Sequence, residues 1–192
     1  MTAAHFILFR SPASQPQPFL NMIRLAFILV SLVVGTAAHA NEPQPLQLGA
    51  ALPSLTVTLD DGSSIDLASA DGGYTLIYFY PKADTPGCTK QACSLRDAYA
   101  ELTEKGVTVF GASFDDAASQ AAFREKFDLP FPLVADVDGA LADAFGVPVR
   151  GGRFAARQAF LFNDGVLVWR DLRASTGEQA ADVLAAIPAP AE

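Results

Sequence analysis

Apolar and polar residues alternate along Leu55-Thr-Val-Thr-Leu59, a period of two that fits a half-buried strand. Asp60-Asp-Gly-Ser63 is a turn cluster, and Ile65-Asp-Leu67 resumes the alternation, so the segment predicts a β-hairpin. Tyr74-Thr-Leu-Ile-Tyr-Phe-Tyr80 is almost wholly aromatic or aliphatic, which predicts a central strand covered on both faces. Residues 107–112 and 132–135 are two further short apolar strands. Helical patterns separate them: residues 88–105, a helix capped by Asp115 or Asp116 and running through Phe127, and residues 139–145. Residues 159–162 and 166–169 flank Asn163-Asp-Gly165, a strong hairpin turn, and residues 177–187 form a closing helix. Strands alternating with helices, then a hairpin and a helix, predict an α/β domain. Its mixed central sheet is flanked by helices and preceded by the N-terminal β-hairpin.

Ahead of that domain the pattern is different. Met22-Ile-Arg24 is a short basic region, residues 25–34 are apolar apart from Ser31, and Ala38-His-Ala40 is a small-x-small site before a polar stretch. This is the layout of a secretory signal starting at Met22 and cleaved after Ala40. The apolar run is shorter than the roughly 20 residues of a membrane span. An uncleaved anchor is the alternative reading. The expected organisation is a leader over residues 1–40, with Met22 as the natural start, and one domain over residues 41–192. The expected location is periplasmic or secreted, off the membrane once the signal is removed.

Composition narrows the chemistry of residues 41–192. Both methionines and both histidines (His5, His39) fall in the leader. The expected mature domain therefore has no Ser-His-Asp triad, no Cys-His pair and no His-ligated zinc or copper, and no metal or cofactor is expected. The chain has 21 acidic against 13 basic residues, a net charge of −8. Arg10 and Arg24 leave with the leader while every acid stays, so the domain is more acidic still. Such a surface disfavours nucleic acid and anionic lipid.

The two cysteines lie in Pro81-Lys-Ala-Asp-Thr-Pro-Gly-Cys88-Thr-Lys-Gln-Ala-Cys93. Cys88 falls in the first turn of its predicted helix, where unpaired backbone N–H groups and the helix dipole favour a negative sulfur. Thr85 lies three residues before it, and Pro81 ends the preceding strand where it could roof the sulfur. A pair of cysteines in an exported protein is ordinarily a structural disulfide. Here the five-residue spacing opposes that. In an ideal helix it separates the Cα atoms by about 8–9 Å, beyond the roughly 7 Å reach of a disulfide. A bond between them requires the helix to unwind, which suits a redox intermediate better than a staple.

Pro81-x-x-x-Thr85-x-x-Cys88 matches the signature of peroxiredoxins, and the run from Tyr78 to Asp97 resembles their bacterioferritin comigratory protein, or Q-type, branch. The likeness continues in Phe131-Pro-Leu-Val-Ala-Asp136, Phe145-Gly-Val147 and Arg157-Gln-Ala-Phe-Leu-Phe162. The resemblance implies a thioredoxin-like fold and a thiol-dependent peroxidase acting on hydrogen peroxide and organic hydroperoxides. It implies Cys88 as the peroxidatic thiol, Thr85 and the Cys88 amide as positioners of peroxide, and Arg157 as stabiliser of the developing charge. It further implies Cys93 as the resolving thiol in an intrachain disulfide, a thioredoxin-like dithiol as reductant, and a monomer or weak dimer.

Two features depart from that branch. Ala159 stands where related sequences often carry Ser or Thr, and Arg150-Gly-Gly-Arg153 is unusually basic, with Arg153 a weaker candidate for the active-site arginine. Lys90, Gln91, Arg96 and Asp97 read as helix-surface or structural residues, Tyr78 and Phe79 as core or pocket lining. The sequence lacks a Gly-Gly-Leu-Gly motif, so resistance to overoxidation is expected. Two rivals remain at this point. A thiol–disulfide oxidoreductase would ordinarily carry Cys-x-x-Cys, and an exported copper-binding assembly protein would use a distant His.

Overall fold

The computed structural model describes residues 44–70 and 72–189; the predicted signal, its cleavage point and the start at Met22 lie outside them. The predicted N-terminal hairpin is present as β1 (Thr56–Thr58) paired antiparallel with β2 (Ser64–Asp66). The chain reverses at Gly62, whose φ of 81° lies in the left-handed region that a side chain would strain. Leu67, expected to extend the second strand, instead opens a single 3-10 turn, Leu67–Ala70.

The central sheet has five strands: β3 (Tyr74–Phe79), β4 (Val107–Ser113), β5 (Leu133–Ala135), β8 (Gln158–Asn163) and β9 (Val166–Asp171). Their order is β5-β4-β3-β8-β9. β3 runs parallel to β4 and antiparallel to β8, so the sheet is mixed, as the element order predicted. The two-residue period of β3 divides its side chains between two cores. Leu76, Tyr78 and Tyr80 pack with Cys88 and Leu161 on one face. Ile77 and Phe79 pack with Phe145 and Phe160 on the other. Room for the Tyr78 ring comes from its neighbours in register, Gly111 and Ala159. A Cβ on Gly111 would lie 2.7 Å from that ring. A small residue at 159 thus has a packing reason.

The helices are α1 (Pro86–Asp97), α2 (Tyr99–Glu104), α3 (Ala117–Lys126), α4 (Ala140–Phe145) and α5 (Gln179–Ala186). The single helix expected over residues 88–105 is corrected here: it starts at Pro86 and breaks at Ala98 (φ −99°, ψ 10°). Neither Gly nor Pro marks the break. It falls where Arg96 bonds the Phe127 carbonyl and Tyr99 packs on Phe131, contacts with remote segments. A second small hairpin, β6 (Val149–Arg150) with β7 (Phe154–Ala155), turns through Gly151 and Gly152 and was not anticipated.

Both sheet edges are covered. The arm before β1 lies along β9, with Leu52 N–H donating to the Gly165 carbonyl and Leu167 N–H to that of Ala50. The first hairpin covers β5, where Asp60 accepts from Leu133 N–H at 2.8 Å and pairs with Arg124 at 3.0 Å. Unpaired strand edges invite aggregation, and both devices remove that hazard.

Candidate active site

β3 delivers the chain to Pro81, and residues 81–85 form the loop that feeds α1. Asp115 and Lys126 hold this loop from outside. Ala83 N–H donates to Asp115 at 2.8 Å, and Ser113 Oγ donates to the same carboxylate at 2.7 Å. Lys126 pairs with Asp84 at 2.6 Å, and Asp84 takes a left-handed φ of 54°. Asp115 therefore anchors the cysteine loop, while Asp116 alone caps α3 by accepting from Ser119 N–H at 2.8 Å. The two aspartates looked interchangeable in sequence, and their roles separate in the structure.

Thr85 sits at the N-cap of α1 in extended conformation, and its side chain makes no capping bond. Its hydroxyl donates to the Lys82 carbonyl at 3.0 Å, leaving the oxygen free to accept. Pro86 occupies the start of the helix, where its missing N–H costs nothing. Gly87 sits in a tight spot: a Cβ there would lie 3.3 Å from Arg157 Nη2.

Cys88 is a buried free thiol at 1 % exposure, with Arg157 Nη2 3.4 Å from its sulfur. Arg157 stands at the entry to β8, beyond the small hairpin. Arg153 is exposed, lies over the Phe154 ring at 5.4 Å and makes no such contact. That separates the two candidate arginines. The other arm of the Arg157 guanidinium donates to Gln91 Oε1. Gln91 is fully buried and donates in turn to Gln179 Oε1 of α5 at 2.8 Å. The reading of Gln91 as a surface or structural helix residue is thus refined, since it holds Arg157 against the sulfur. Its signal was spacing, three residues from Cys88 and so on the same helix face. Gln179, 88 residues from Gln91, left no local signal.

Cys93 is a half-buried free thiol in the same continuous helix, so the two Cα atoms keep the helical separation of about 8–9 Å. Tyr78 is buried in the same core cluster as Cys88. Burial pushes its phenol well above the ordinary value, and Tyr80, Cys88 and Cys93 add to the rise. Its hydroxyl is buried without a hydrogen-bond partner. Pro81 is half-buried and lines an open cleft of about 550 Å³ together with Arg157. A separate cleft of about 330 Å³, between β1 and β5, contains none of these residues. Among the described residues no group of His, Cys, Asp or Glu could hold a metal ion.

A buried thiol at a helix start, with a fixed guanidinium against it and a second thiol one unwinding away, is equipped for nucleophilic redox chemistry. Comparisons with known proteins agree. Residues 48–170 match the AhpC/TSA family. A Coxiella burnetii protein provisionally named peroxiredoxin bcp is 38 % identical over 112 residues, covering 58 % of this chain and 74 % of its own. The chloroplastic peroxiredoxin Q of Triticum aestivum is 43 % identical over 151 residues, or 77 % of this chain. The chain spans 63 % of that wheat protein and 56 % of its Oryza sativa counterpart. Among solved structures, the bacterioferritin comigratory protein of Xanthomonas campestris superposes with a TM-score of 0.67 at 33 % identity. The match covers 73 % of this chain and 94 % of that one, whose structure was described for its alkyl peroxide reduction activity. By signature, site and these likenesses, the chain belongs to the AhpC/TSA family as a peroxiredoxin of the Q/BCP kind, a thioredoxin-like fold that serves thiol-dependent peroxidases.

Proposed function

We propose that Cys88 is the peroxidatic and Cys93 the resolving thiol of an exported peroxidase acting on hydrogen peroxide and organic hydroperoxides. The observation that carries the assignment is the Arg157 guanidinium 3.4 Å from the buried Cys88 sulfur. The Cys88 thiolate attacks one peroxide oxygen, the O–O bond breaks, and the leaving oxygen departs as water or an alcohol after taking a proton. Sulfur is oxidised to sulfenic acid. Arg157 offsets the charge on thiolate and leaving oxygen, the Thr85 oxygen and the Cys88 amide position the peroxide, and Pro81 shields the sulfur. The Cys93 thiol then displaces hydroxide from Cys88, forming the disulfide and releasing water. A thioredoxin-like dithiol reduces it by exchange.

Export rests on the signal pattern of residues 22–40 and on the compatibility of an oxidising compartment with two thiols that cycle. The working unit is a monomer or weak dimer. Single-turnover oxidation by peroxide tests the site. Cys88→Ser is expected to abolish peroxide consumption, and Cys93→Ser to retain one stoichiometric reaction but lose turnover unless another thiol substitutes. Full activity in Cys88→Ser would refute the assignment. For export, the mature N-terminus is expected at Asn41 in the extracytoplasmic fraction, and retention of the protein in the cytoplasm would refute it.

A further inference from the structure

Gln179 is the first residue of α5 and is 0 % exposed, yet only half of its amide is used. Its Oε1 accepts from Gln91 Nε2 at 2.8 Å, while its own Nε2 has no hydrogen-bond partner. A buried donor left unpaired costs free energy that an apolar side chain of similar length would avoid. Packing alone therefore does not account for a glutamine at this position.

The polarity of the contacts shows which half matters. An arginine can only donate, so the Gln91 atom that faces Arg157 must be its oxygen. That turns the Gln91 nitrogen toward α5, where it needs an acceptor, and Gln179 Oε1 supplies one. The ion pairs among the described residues are Arg96–Asp97, Arg124–Asp60 and Lys126–Asp84, and none of them includes Arg157. The Gln91 amide is thus what fixes one arm of the guanidinium, while the other arm lies 3.4 Å from the Cys88 sulfur. Without the acceptor on α5, Gln91 keeps one of its two bonds and its amide is free to rotate away from Arg157. The support for that acceptor is firm. Ala180 N–H donates to Ser94 Oγ of α1 at 3.2 Å, and Ala180 and Val183 are buried in the core cluster that contains Cys88.

We propose that Gln179 is a positioning residue for the oxidation of Cys88, acting through Gln91 to hold the Arg157 guanidinium against the sulfur. The proposal rests on the peroxidase assignment above and adds to that site a residue 91 positions away from Cys88 in the chain. A rival role lies close by, because the same contact also braces α1 against the unwinding that joins Cys88 to Cys93. The two roles predict different losses. Removing a positioning residue slows the attack on peroxide. Removing a brace leaves that attack unchanged and only speeds closure of the disulfide.

The test reads the first oxidation alone. Reduced Cys93→Ser protein is mixed with hydrogen peroxide in the presence of dimedone, and the trapped sulfenic acid at Cys88 is followed by mass spectrometry. Gln179→Met and Gln179→Leu, each added to this protein, remove the acceptor and keep apolar bulk. Each is expected to lower the second-order rate constant about three- to tenfold, the size of one neutral hydrogen bond. Gln179→Glu keeps an acceptor and should recover most of the rate. In Gln91→Ala protein, already slow, Gln179→Met should cause no further loss, because the path to Arg157 is already cut. An unchanged rate in both apolar variants would overturn the proposal, as would a Glu variant as slow as the Met variant. Equal losses with and without the Gln91 side chain would overturn it too, since an effect independent of Gln91 does not run through Arg157. With Cys93 restored, faster disulfide closure at an unchanged rate of oxidation would assign Gln179 to bracing α1 alone. In each of these cases, rapid oxidation of Cys88 in protein with Gln179 intact leaves the peroxidase assignment standing. No reaction there would remove that assignment and the proposal with it.

Discussion

Gln91 is the residue whose role depends most on its surroundings. It accepts from Arg157 with its oxygen and donates to Gln179 with its nitrogen, so both ends are committed inside the protein. Truncation would leave one arm of a half-buried guanidinium unheld while Cys88 stays in place. Hydrogen bonds to charged groups are worth about 1.5–3 kcal/mol. Gln91→Ala is therefore expected to slow oxidation of Cys88 by about ten- to a hundredfold. Gln91→Glu keeps an acceptor for Arg157 and should restore most of the rate. Stopped-flow oxidation of both variants checks this, and a Glu variant as slow as the Ala variant would assign Gln91 to packing alone. The Pro81, Thr85, Cys88 and Cys93 positions were legible because their spacing is local and survives folding unchanged. Gln179 was not, because its contact with Gln91 joins α5 to α1 only after the chain has folded.

At the scale of elements, α1 has two incompatible duties. In the proposed cycle its N-terminal turn presents Cys88 to peroxide, yet joining Cys88 to Cys93 demands that the same turns unwind. Contacts with the α5 side oppose that opening. Gln91 bonds Gln179, Ala180 N–H donates to Ser94 Oγ at 3.2 Å, and Gly177 lies so close to Lys90 that a Cβ there would sit 2.8 Å from the lysine chain. Oxidation by one equivalent of peroxide should therefore lower the far-UV helical signal and speed amide exchange over residues 86–94. Cys93→Ser, unable to close the bond, should keep its helix and accumulate sulfinic acid at Cys88, while the unaltered protein resists it. Mass spectrometry with circular dichroism reads both outcomes. A disulfide formed without loss of helix would contradict the geometry. The central strand β3 followed from its almost unbroken apolar run, which matches its burial on both faces. The break at Ala98 did not, because remote partners of Arg96 and Tyr99 set it.

Over the whole molecule, stability and charge depend on groups brought together from distant segments. Asp136 is 5 % exposed and accepts from Leu141 and Ala142 N–H, both at 2.9 Å. Burial is the larger influence and raises its carboxyl above 3.8 despite those two amides. A raised folded-state value means that the folded protein binds the proton more tightly than the unfolded chain. The stability it contributes is full below the unfolded value and is lost as pH rises through the folded one. Urea denaturation across that acidic window should show this component in the unaltered protein and lose it in Asp136→Asn. An unchanged pH slope in the variant would place the effect elsewhere. The sequence by itself determined the α/β order, the central strand, the first and last hairpins and the local spacing of Pro81, Thr85, Cys88 and Cys93, because hydrophobic period, turn residues and short spacings act within a few residues. Tertiary structure alone decided which arginine meets Cys88, the Gln91–Gln179 link behind it, and the gathering of Arg150, Arg157 and Arg173 at one cleft. Each of those joins segments far apart along the chain, and packing of the sheet and helices, not local preference, sets their distance.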